Sequence, residues 1–218
     1  MRRALLLLLM AALLAGCQTD RRGVQVDLGA VARAYKQRLD RQPSREQVER
    51  MVASLPAEQL NDMGVLYERE GRLDRAAWAY QQAIWRNPRF ALAYVNLGNV
   101  LRQQGQTEDA LFRYRQAMSA DRNSFEAANN FADLCAEKGV HLDEAIGRLR
   151  TRLDAAGPHR AYGLDTLGWL YHQTGDEAAA AETLETALRE PAAKDPRLRS
   201  LIEQHLAAVN QAREKAKQ

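Results

Sequence analysis

Few side chains in this sequence are of the types that do chemistry, and their spacing limits what that chemistry could be. The cysteines and histidines among its 218 residues are Cys17, Cys135, His141, His159, His172 and His205. No histidine stands at metal-ligand spacing from a cysteine or from another histidine. Asp165 and His172 could share a helix face, but no nucleophile accompanies them, and no phosphate-binding glycine loop is found. These absences predict a protein that is not an enzyme and that holds no metal and no cofactor.

Cys17 is the one residue set up to act as a nucleophile, because of what precedes it. Arg2 and Arg3 come before an unbroken apolar run over residues 4–14, which ends in Leu-Ala-Gly followed by Cys17. The run is too short to cross a bilayer comfortably and has the length of a signal-peptide core. The small residues before Cys17 would let the chain enter a peptidase site. This arrangement resembles the bacterial lipobox.

The lipobox resemblance predicts where the mature chain starts and where it resides. It implies a lipoprotein signal peptide at residues 1–16, acylation (diacylglycerol and palmitate-type chains) of the Cys17 thiol, and a lipidated tether at residues 17–27. Two or more acyl chains anchor a protein stably, whereas one does not. Gln18 instead of Asp after the cysteine favours the outer membrane, so we expect a lipid anchor on its periplasmic face. The alternative is an ordinary secretory leader that happens to end near a cysteine.

The number of cysteines argues against an intramolecular disulfide, and the balance of charge argues against binding of nucleic acid. With Cys17 acylated, Cys135 has no partner for an intramolecular disulfide, and its place on a helix favours a buried small hydrophobe over a reactive thiol. Two of the 31 basic side chains, Arg2 and Arg3, belong to the leader, which leaves the mature chain almost balanced against its 28 acidic side chains. This balance gives no support to a nucleic-acid partner.

A recurring order of large and small residues organises most of the chain. Pairs that stand 34 positions apart include Gly64 and Gly98, Ala76 and Ala110, and Tyr80 and Tyr114. Large residues recur where two helices would face each other, and small ones where their backbones would touch. A period of this length marks a stacked repeat, and this order resembles the tetratricopeptide repeat.

The resemblance implies an all-α fold. We expect a right-handed α-solenoid of about four tetratricopeptide hairpins, with an N-terminal helical cap and a C-terminal capping helix. The predicted repeats are residues 57–90, 91–124, 125–160 and 161–194. A helical hairpin at residues 28–56 would precede them, and a capping helix with a polar tail at residues 195–218 would follow, because terminal repeats need a cover.

Two local features refine this prediction. The third repeat has one residue inserted in its turn, near Val140 and His141, and a helical stripe of apolar residues that runs from Leu142 to Leu153. Asp195 followed by Pro196 predicts the N-cap and first turn of the last helix. The predicted apolar face of that helix contains Leu198, Leu201, Ile202, His205, Leu206 and Val209.

The first helix of each repeat is predicted to line a concave groove that holds a peptide. The candidate peptide-binding residues are Asn96, Asn99, Arg102, Asn129, Asn130, Asp133, Trp169 and His172. In tetratricopeptide proteins, Asn at the places of Asn96 and Asn99 often bonds the backbone of an extended peptide, since an amide is both donor and acceptor. Trp169 could add an aromatic anchor. Alternatively, these Asn side chains are merely solvated and Trp169 packs on a neighbouring helix.

The predicted function is a scaffold or adaptor that is anchored to the outer membrane and binds a protein or peptide segment in the periplasm. Lipoproteins that the chain resembles in plan assist type IV or Tad pilus and secretin assembly, so an assembly factor for such a pilus or secretin is the alternative. A third class is an accessory subunit of a cell-envelope enzyme. Loss of secretin multimers on deletion would indicate the assembly factor, and turnover by the purified protein would indicate an enzyme.

Overall fold

The computed structural model describes residues 55–217, and all of their regular structure is helical. In chain order the α-helices are α1 (Ala57–Arg69), α2 (Leu73–Arg86), α3 (Ala91–Gln103), α4 (Thr107–Ala120), α5 (Phe125–Lys138), α6 (Leu142–Arg150), α7 (Arg160–Gln173), α8 (Glu177–Arg189) and α9 (Pro196–Lys215). Short 3₁₀ segments, Leu153–His159 and Pro191–Lys194, lie before α7 and α9. The predicted signal peptide, Cys17, the tether and nearly all of the hairpin at 28–56 lie outside the described residues.

The helices form a stack of antiparallel hairpins, which confirms the predicted α-solenoid. We call α1, α3, α5 and α7 the A helices and α2, α4, α6 and α8 the B helices, since each A helix packs against the B helix that follows it. Each B helix also packs against the A helix of the next repeat. Consecutive A helices contact one another more extensively than consecutive B helices do, as expected for a stack that curves with its A helices inside. Helix α9 packs on α7 and α8 and covers the last repeat.

In the first two hairpins, glycines on the A helices let tyrosines of the B helices enter the core. A Cβ atom placed on Gly64 would lie 2.4 Å from Tyr80 Cε1, and one on Gly98 would lie 2.5 Å from Tyr114 Cε1. Both tyrosine side chains are fully buried. At these two positions the small residue therefore faces an aromatic ring of the partner helix, and not its backbone as the sequence pattern had suggested.

The third repeat departs from the others in its turn and in its second helix. His141, in the turn where one residue is inserted, has a left-handed φ of 51°, which is uncommon for a side chain with a Cβ. The stripe prediction was wrong at its end, because α6 stops at Arg150 and Leu153 belongs to the 3₁₀ segment. The chain bends here because Gly157 takes a φ of 50° directly before Pro158, a conformation that breaks a helix.

A charged bridge joins the second and third repeats. The Glu144 carboxylate accepts hydrogen bonds from Arg115 Nε at 2.9 Å, Arg115 Nη2 at 2.7 Å and Arg148 Nε at 2.6 Å. These bonds, Arg115 first, lower the pKa of Glu144 to about 2 even though partial burial opposes the shift. Both guanidinium groups also lie over the ring of Phe131, at 4.9 and 5.8 Å from its centroid. Glu144, which lies in the first turn of α6, thus links two repeats.

The last helix begins as predicted but buries a narrower face. Asp195 is the N-cap, its carboxylate accepts a 2.8 Å hydrogen bond from the Arg197 amide, and Pro196 opens the helix. Ile202 is fully buried, whereas Leu201 is 43% exposed. The prediction that Leu201 belongs to the packed face was therefore wrong, because the stripe that meets α7 and α8 is too narrow to include it.

Candidate functional site

The predicted peptide-binding residues lie on three consecutive A helices. Asn96, Asn99 and Arg102 are on α3, Asn129, Asn130 and Asp133 are on α5, and Trp169 and His172 are on α7. The topology therefore brings them to one side of the stack, the side that the A helices form. Their role in binding a peptide stays a prediction, but their contacts show which of them interact with one another.

Four asparagines form two amide pairs that join successive A helices, and we call the two pairs together the amide ladder (Asn61, Asn96, Asn99 and Asn130). The Asn96 Nδ2 group donates a 2.9 Å hydrogen bond to Asn61 Oδ1, and Asn130 Nδ2 donates a 3.0 Å bond to Asn99 Oδ1. Asn61 is buried, and the other three are half-buried. The ladder thus ties α1 to α3 and α3 to α5 through side chains that also border the concave side.

A buried tyrosine orients the central amide of the ladder. The Tyr114 hydroxyl donates a 2.8 Å hydrogen bond to Asn99 Oδ1. Burial raises the pKa of Tyr114, so its hydroxyl stays protonated and remains a donor. Asn99 Oδ1 therefore accepts two bonds, which turns the Asn99 Nδ2 group away from the core. Within residues 55–217 this Nδ2 group donates to no other group.

An ion-pair cluster follows the ladder along α3. Arg102 Nη1 lies 2.7 Å from Asp133 Oδ2, and Arg102 Nη2 lies 2.7 Å from Glu137 Oε2. Partial burial lowers the pKa of Arg102, but the bonds to Asp133 and Glu137 outweigh it and the pKa rises above its ordinary value. The prediction brought Arg102 and Asp133 to one groove without pairing them, and it missed Glu137, which stands one helical turn after Asp133.

Trp169 and His172 meet the capping helix and the last B helix. The indole of Trp169 stacks on His205 of α9 with ring centroids 4.5 Å apart, and His172 lies 5.0 Å from Trp169. His172 Nδ1 is 2.7 Å from Glu177 Oε2. Trp169 therefore packs on a neighbouring helix, one of the two roles that the sequence allowed, and it remains half-buried.

The buried carboxylate of Asp165 is held by α9, the helix whose His205 stacks on Trp169. Asp165 Oδ1 lies 2.8 Å from His205 Nδ1, and Asp165 is only 5% exposed. The sequence placed Asp165 beside His172 on one helix face, but its partner is His205, which the sequence had assigned to an apolar face. The residues at equivalent positions of earlier A helices are Asn61, whose oxygen is likewise bonded, the apolar Val95, and Asn129, whose buried Oδ1 has no hydrogen-bond partner within the described range.

The described residues show no cluster of His, Cys, Asp and Glu that could hold a metal ion. Cys135 is fully buried, and burial raises the pKa of its thiol to about 12. The thiol is therefore protonated at ordinary pH and packs as a small apolar group. Between residues 55 and 217, no helix is both long and apolar enough to cross a bilayer.

Comparison with known proteins identifies the repeats. Two models described as Tetratricopeptide repeat match residues 79–112 and 161–192. The second match covers nearly all of the hairpin of α7 and α8, whereas the first runs from within α2 through α3 into α4. A curated relative, Tetratricopeptide repeat protein 6 from Homo sapiens, is 37% identical over 71 residues, which are 33% of this chain and 14% of that protein. The chain therefore contains tetratricopeptide repeats, and it spans a small part of this relative's length.

Solved structures share the fold. PilF of Pseudomonas aeruginosa superimposes with a TM-score of 0.59 at 24% identity, over 72% of each chain. A MamA structure matches with a TM-score of 0.54 at 19% identity, over 71% of this chain and 96% of the other. MamA from Desulfovibrio magneticus RS-1, residues 41 to the end, gives 0.56 at 13% identity, over 73% and 96%. At these identities the likeness is one of fold alone.

Proposed function

We propose that this chain is a scaffold that is anchored through a lipid on Cys17 to the periplasmic face of the outer membrane and binds a segment of a protein partner on its concave side. Tetratricopeptide repeats suggest a protein–protein interaction scaffold, which supports the part of this proposal that concerns binding of a protein partner. The observation that carries the binding site is the amide ladder, since it places half-buried amides in a fixed orientation along the A helices.

The ladder suits the backbone of an extended peptide. A peptide group offers one N–H donor and one C=O acceptor per residue. Within the described residues, Asn99 Nδ2 has no acceptor and Asn130 Oδ1 has no donor, while the other end of each amide is fixed by a 3.0 Å bond between them. A donor and an acceptor therefore remain available side by side, and they would hold a backbone without reading its side chains.

The mechanism is recruitment. The anchor would confine the scaffold to a surface, and the concave side would raise the local concentration of its client at that surface. No step of this mechanism requires the chain to make or break a covalent bond in its partner.

Capture of partners tests the binding site. Asn99→Ala combined with Asn130→Ala would leave the buried Tyr114 hydroxyl without its acceptor, so both are made in a Tyr114→Phe background. The triple variant is expected to bind its partner roughly tenfold more weakly, because two amide hydrogen bonds of about 0.7 kcal/mol each are lost. The measurement is affinity capture from detergent-solubilised envelopes with quantitative mass spectrometry, followed by titration of the recovered partner.

Two controls make this test specific to the ladder. Tyr114→Phe alone keeps both amides and should capture the same partners as the unaltered chain. Asn123→Ala combined with Asn210→Ala changes two exposed asparagines that are not on the ladder, and it too should leave capture unchanged. If the folded triple variant recovers the same partners at the same strength, the concave amides are not the binding site.

Metabolic labelling tests the anchor. Cells that express the unaltered chain and are fed a labelled fatty acid should show the label on this protein. Cys17→Ser removes the thiol that is expected to receive the lipid, so it should yield an unlabelled and mislocalised precursor. Label that persists on the Cys17→Ser variant would refute the assignment of Cys17, without bearing on the concave site.

A second candidate function is assembly of a type IV or Tad-type pilus or of a secretin. The resemblance in plan to pilus-assembly lipoproteins and the shared fold with PilF support it. Deletion of the gene separates the candidates: an assembly factor is needed for secretin multimers, whereas an adaptor for proteases or cell-wall enzymes leaves them intact. An accessory subunit of a cell-envelope enzyme would instead change turnover when it is added to that enzyme.

A further inference from the structure

The two edges of the helical stack carry opposite charge. All B helices run in the same direction, so every turn that follows a B helix, into the next A helix or into α9, lies at one edge. We call this the turn edge, residues 86–92, 120–126, 150–162 and 189–197. It contains nine Arg and Lys against five Asp and Glu. The A-to-B turns at the other edge, residues 69–75, 103–109, 138–144 and 173–179, contain four Arg and Lys against eight Asp and Glu.

Most carboxylates of the turn edge are occupied within the fold. Asp121 and Asp195 accept hydrogen bonds from the Asn123 and Arg197 amides, and Asp154 and Glu190 both pair with Arg160. The fifth, Glu126, is exposed. Five basic residues of this edge are also exposed, and none has an ion-pair partner within the described part of the chain: Arg89, Arg122, Arg150, Lys194 and Arg197. The charge that this edge presents to its surroundings is therefore positive.

Helix dipoles account for only part of this charge. Basic residues stabilise the C-terminus of a helix, which explains Arg150 at the end of α6. Arg89 and Arg122, however, lie in turns that lead into the N-termini of α3 and α5, and Arg197 lies in the first turn of α9. A helix N-terminus disfavours cations, so Arg197 does not stabilise α9, and Arg89 and Arg122 also follow the C-termini of α2 and α4, so that the dipoles of two helices act on them in opposite directions.

Exposed apolar side chains lie on the turn edge or directly before it. Trp85, in the last turn of α2, is 71% exposed, and Leu92, in the first turn of α3, is 42% exposed. Tyr162, in the first turn of α7, is 43% exposed. The guanidinium of Arg86 lies 5.2 Å from the centre of the Trp85 ring. Tryptophan, tyrosine and arginine together are typical of protein surfaces that lie at a membrane–water interface.

We propose that the turn edge rests on an anionic phospholipid surface, with its arginines at the phosphates and Trp85 at the level of the headgroups. The basic residues recur in successive turns along the stack, with helix axes spaced by about 10 Å, so they form a row and not a pocket. A row of this kind matches an extended anionic surface. This proposal depends on the membrane location proposed above but not on the amide ladder, and it would orient the concave side relative to the bilayer.

Depth-dependent fluorescence quenching in vesicles tests this orientation on the full chain. Trp78→Phe with Trp169→Phe leaves Trp85 as the reporter, and Trp85→Phe with Trp169→Phe leaves Trp78, which is 43% exposed on the same helix but outside the turn edge. In phosphatidylcholine vesicles that contain phosphatidylglycerol, lipids brominated near the headgroup should quench Trp85 more than Trp78. Charge reversal at Arg89, Arg122 and Arg150 should lower the ratio of docked to undocked protein at least about fivefold for each residue.

Flotation of the same vesicles separates this proposal from the lipid anchor. Chains that float with the vesicles but show equal quenching of Trp85 and Trp78 would overturn docking by the turn edge and leave the anchor intact. Quenching of Trp85 that changes neither with the phosphatidylglycerol content nor with the charge reversal would also overturn docking by the turn edge. Protection of Trp85 by a soluble acidic protein, with no selective quenching by lipid, would assign this edge to a protein partner instead. Failure to float with phosphatidylcholine vesicles, whether or not they contain phosphatidylglycerol, counts against both the lipid anchor and the docking of the turn edge.

Discussion

Replacing Gly98 by leucine is expected to lower the free energy of unfolding by about 3 kcal/mol. A Cβ atom at this position would lie 2.5 Å from Tyr114 Cε1 and 2.8 Å from Tyr114 Cδ1, and leucine would add further carbons beyond it. Tyr114 is fully buried, and its hydroxyl donates to Asn99 Oδ1. The ring cannot turn aside without losing that bond, so α3 and α4 must separate. Against a total stability of roughly 5–15 kcal/mol this is a large loss.

Gly147 provides the matched control for this substitution. It also lies inside a helix, α6, but a Cβ atom placed on it would meet nothing within 4 Å. Gly147→Ala is therefore expected to raise the free energy of unfolding by about 0.5–1 kcal/mol, because alanine favours the helix more than glycine does. Urea denaturation monitored by circular dichroism measures the free energy of unfolding of both variants. A Gly98→Leu variant as stable as the unaltered chain would show that the ring of Tyr114 does not require glycine there.

The contact between Gly98 and Tyr114 was predictable because the first repeat makes the same contact 34 positions earlier, between Gly64 and Tyr80. The sequence predicted a first repeat at residues 57–90, and the first hairpin consists of α1 at Ala57–Arg69 and α2 at Leu73–Arg86. Hairpin packing is local and recurs every 34 positions, so the pattern in one repeat reports on the same contact in the next. Periodicity was sufficient for the helices, their pairing and the glycines that face tyrosines.

Contacts that belong to a single junction were not predictable in this way. Arg102 reaches Asp133 and Glu137 between repeats two and three, and His205 reaches Asp165 across 40 positions. No other repeat carries the same residues at these positions, so the repeat pattern does not predict these pairs. The candidate site was therefore predicted as a set of positions on the A helices, while the bonds that join its amides into a ladder required the structure.

The positive charge of the turn edge could not be predicted from the overall composition, for a different reason. The sequence carries 31 basic and 28 acidic residues, and a near balance argues against a strongly charged surface. The fold sorts these residues by turn, with basic ones where B helices end and acidic ones where B helices begin. Net charge averages over both edges, so only the topology shows that one of them is positive.

Replacing Ile202 by alanine is expected to lower the free energy of unfolding by about 3 kcal/mol, whereas Leu201→Ala should change it by no more than about 0.5 kcal/mol. The two residues are neighbours on α9 and carry side chains of the same size. Ile202 is fully buried and Leu201 is 43% exposed. Truncation of Ile202 leaves a cavity beneath the cover of the last repeat, and truncation of Leu201 removes surface that water already contacts.

The comparison of the two variants measures how much the capping helix stabilises the array. In a stack where each repeat contacts only its neighbours, a weakened cover acts first on the repeat beneath it. Ile202→Ala should therefore increase hydrogen exchange in α7 and α8 before it does so in α1 and α2, and Leu201→Ala should leave exchange unchanged. Equal losses in the two variants would mean that α9 does not pack through the stripe of Leu198, Ile202 and Val209, and the assignment of this helix as the cover of repeat four would be wrong.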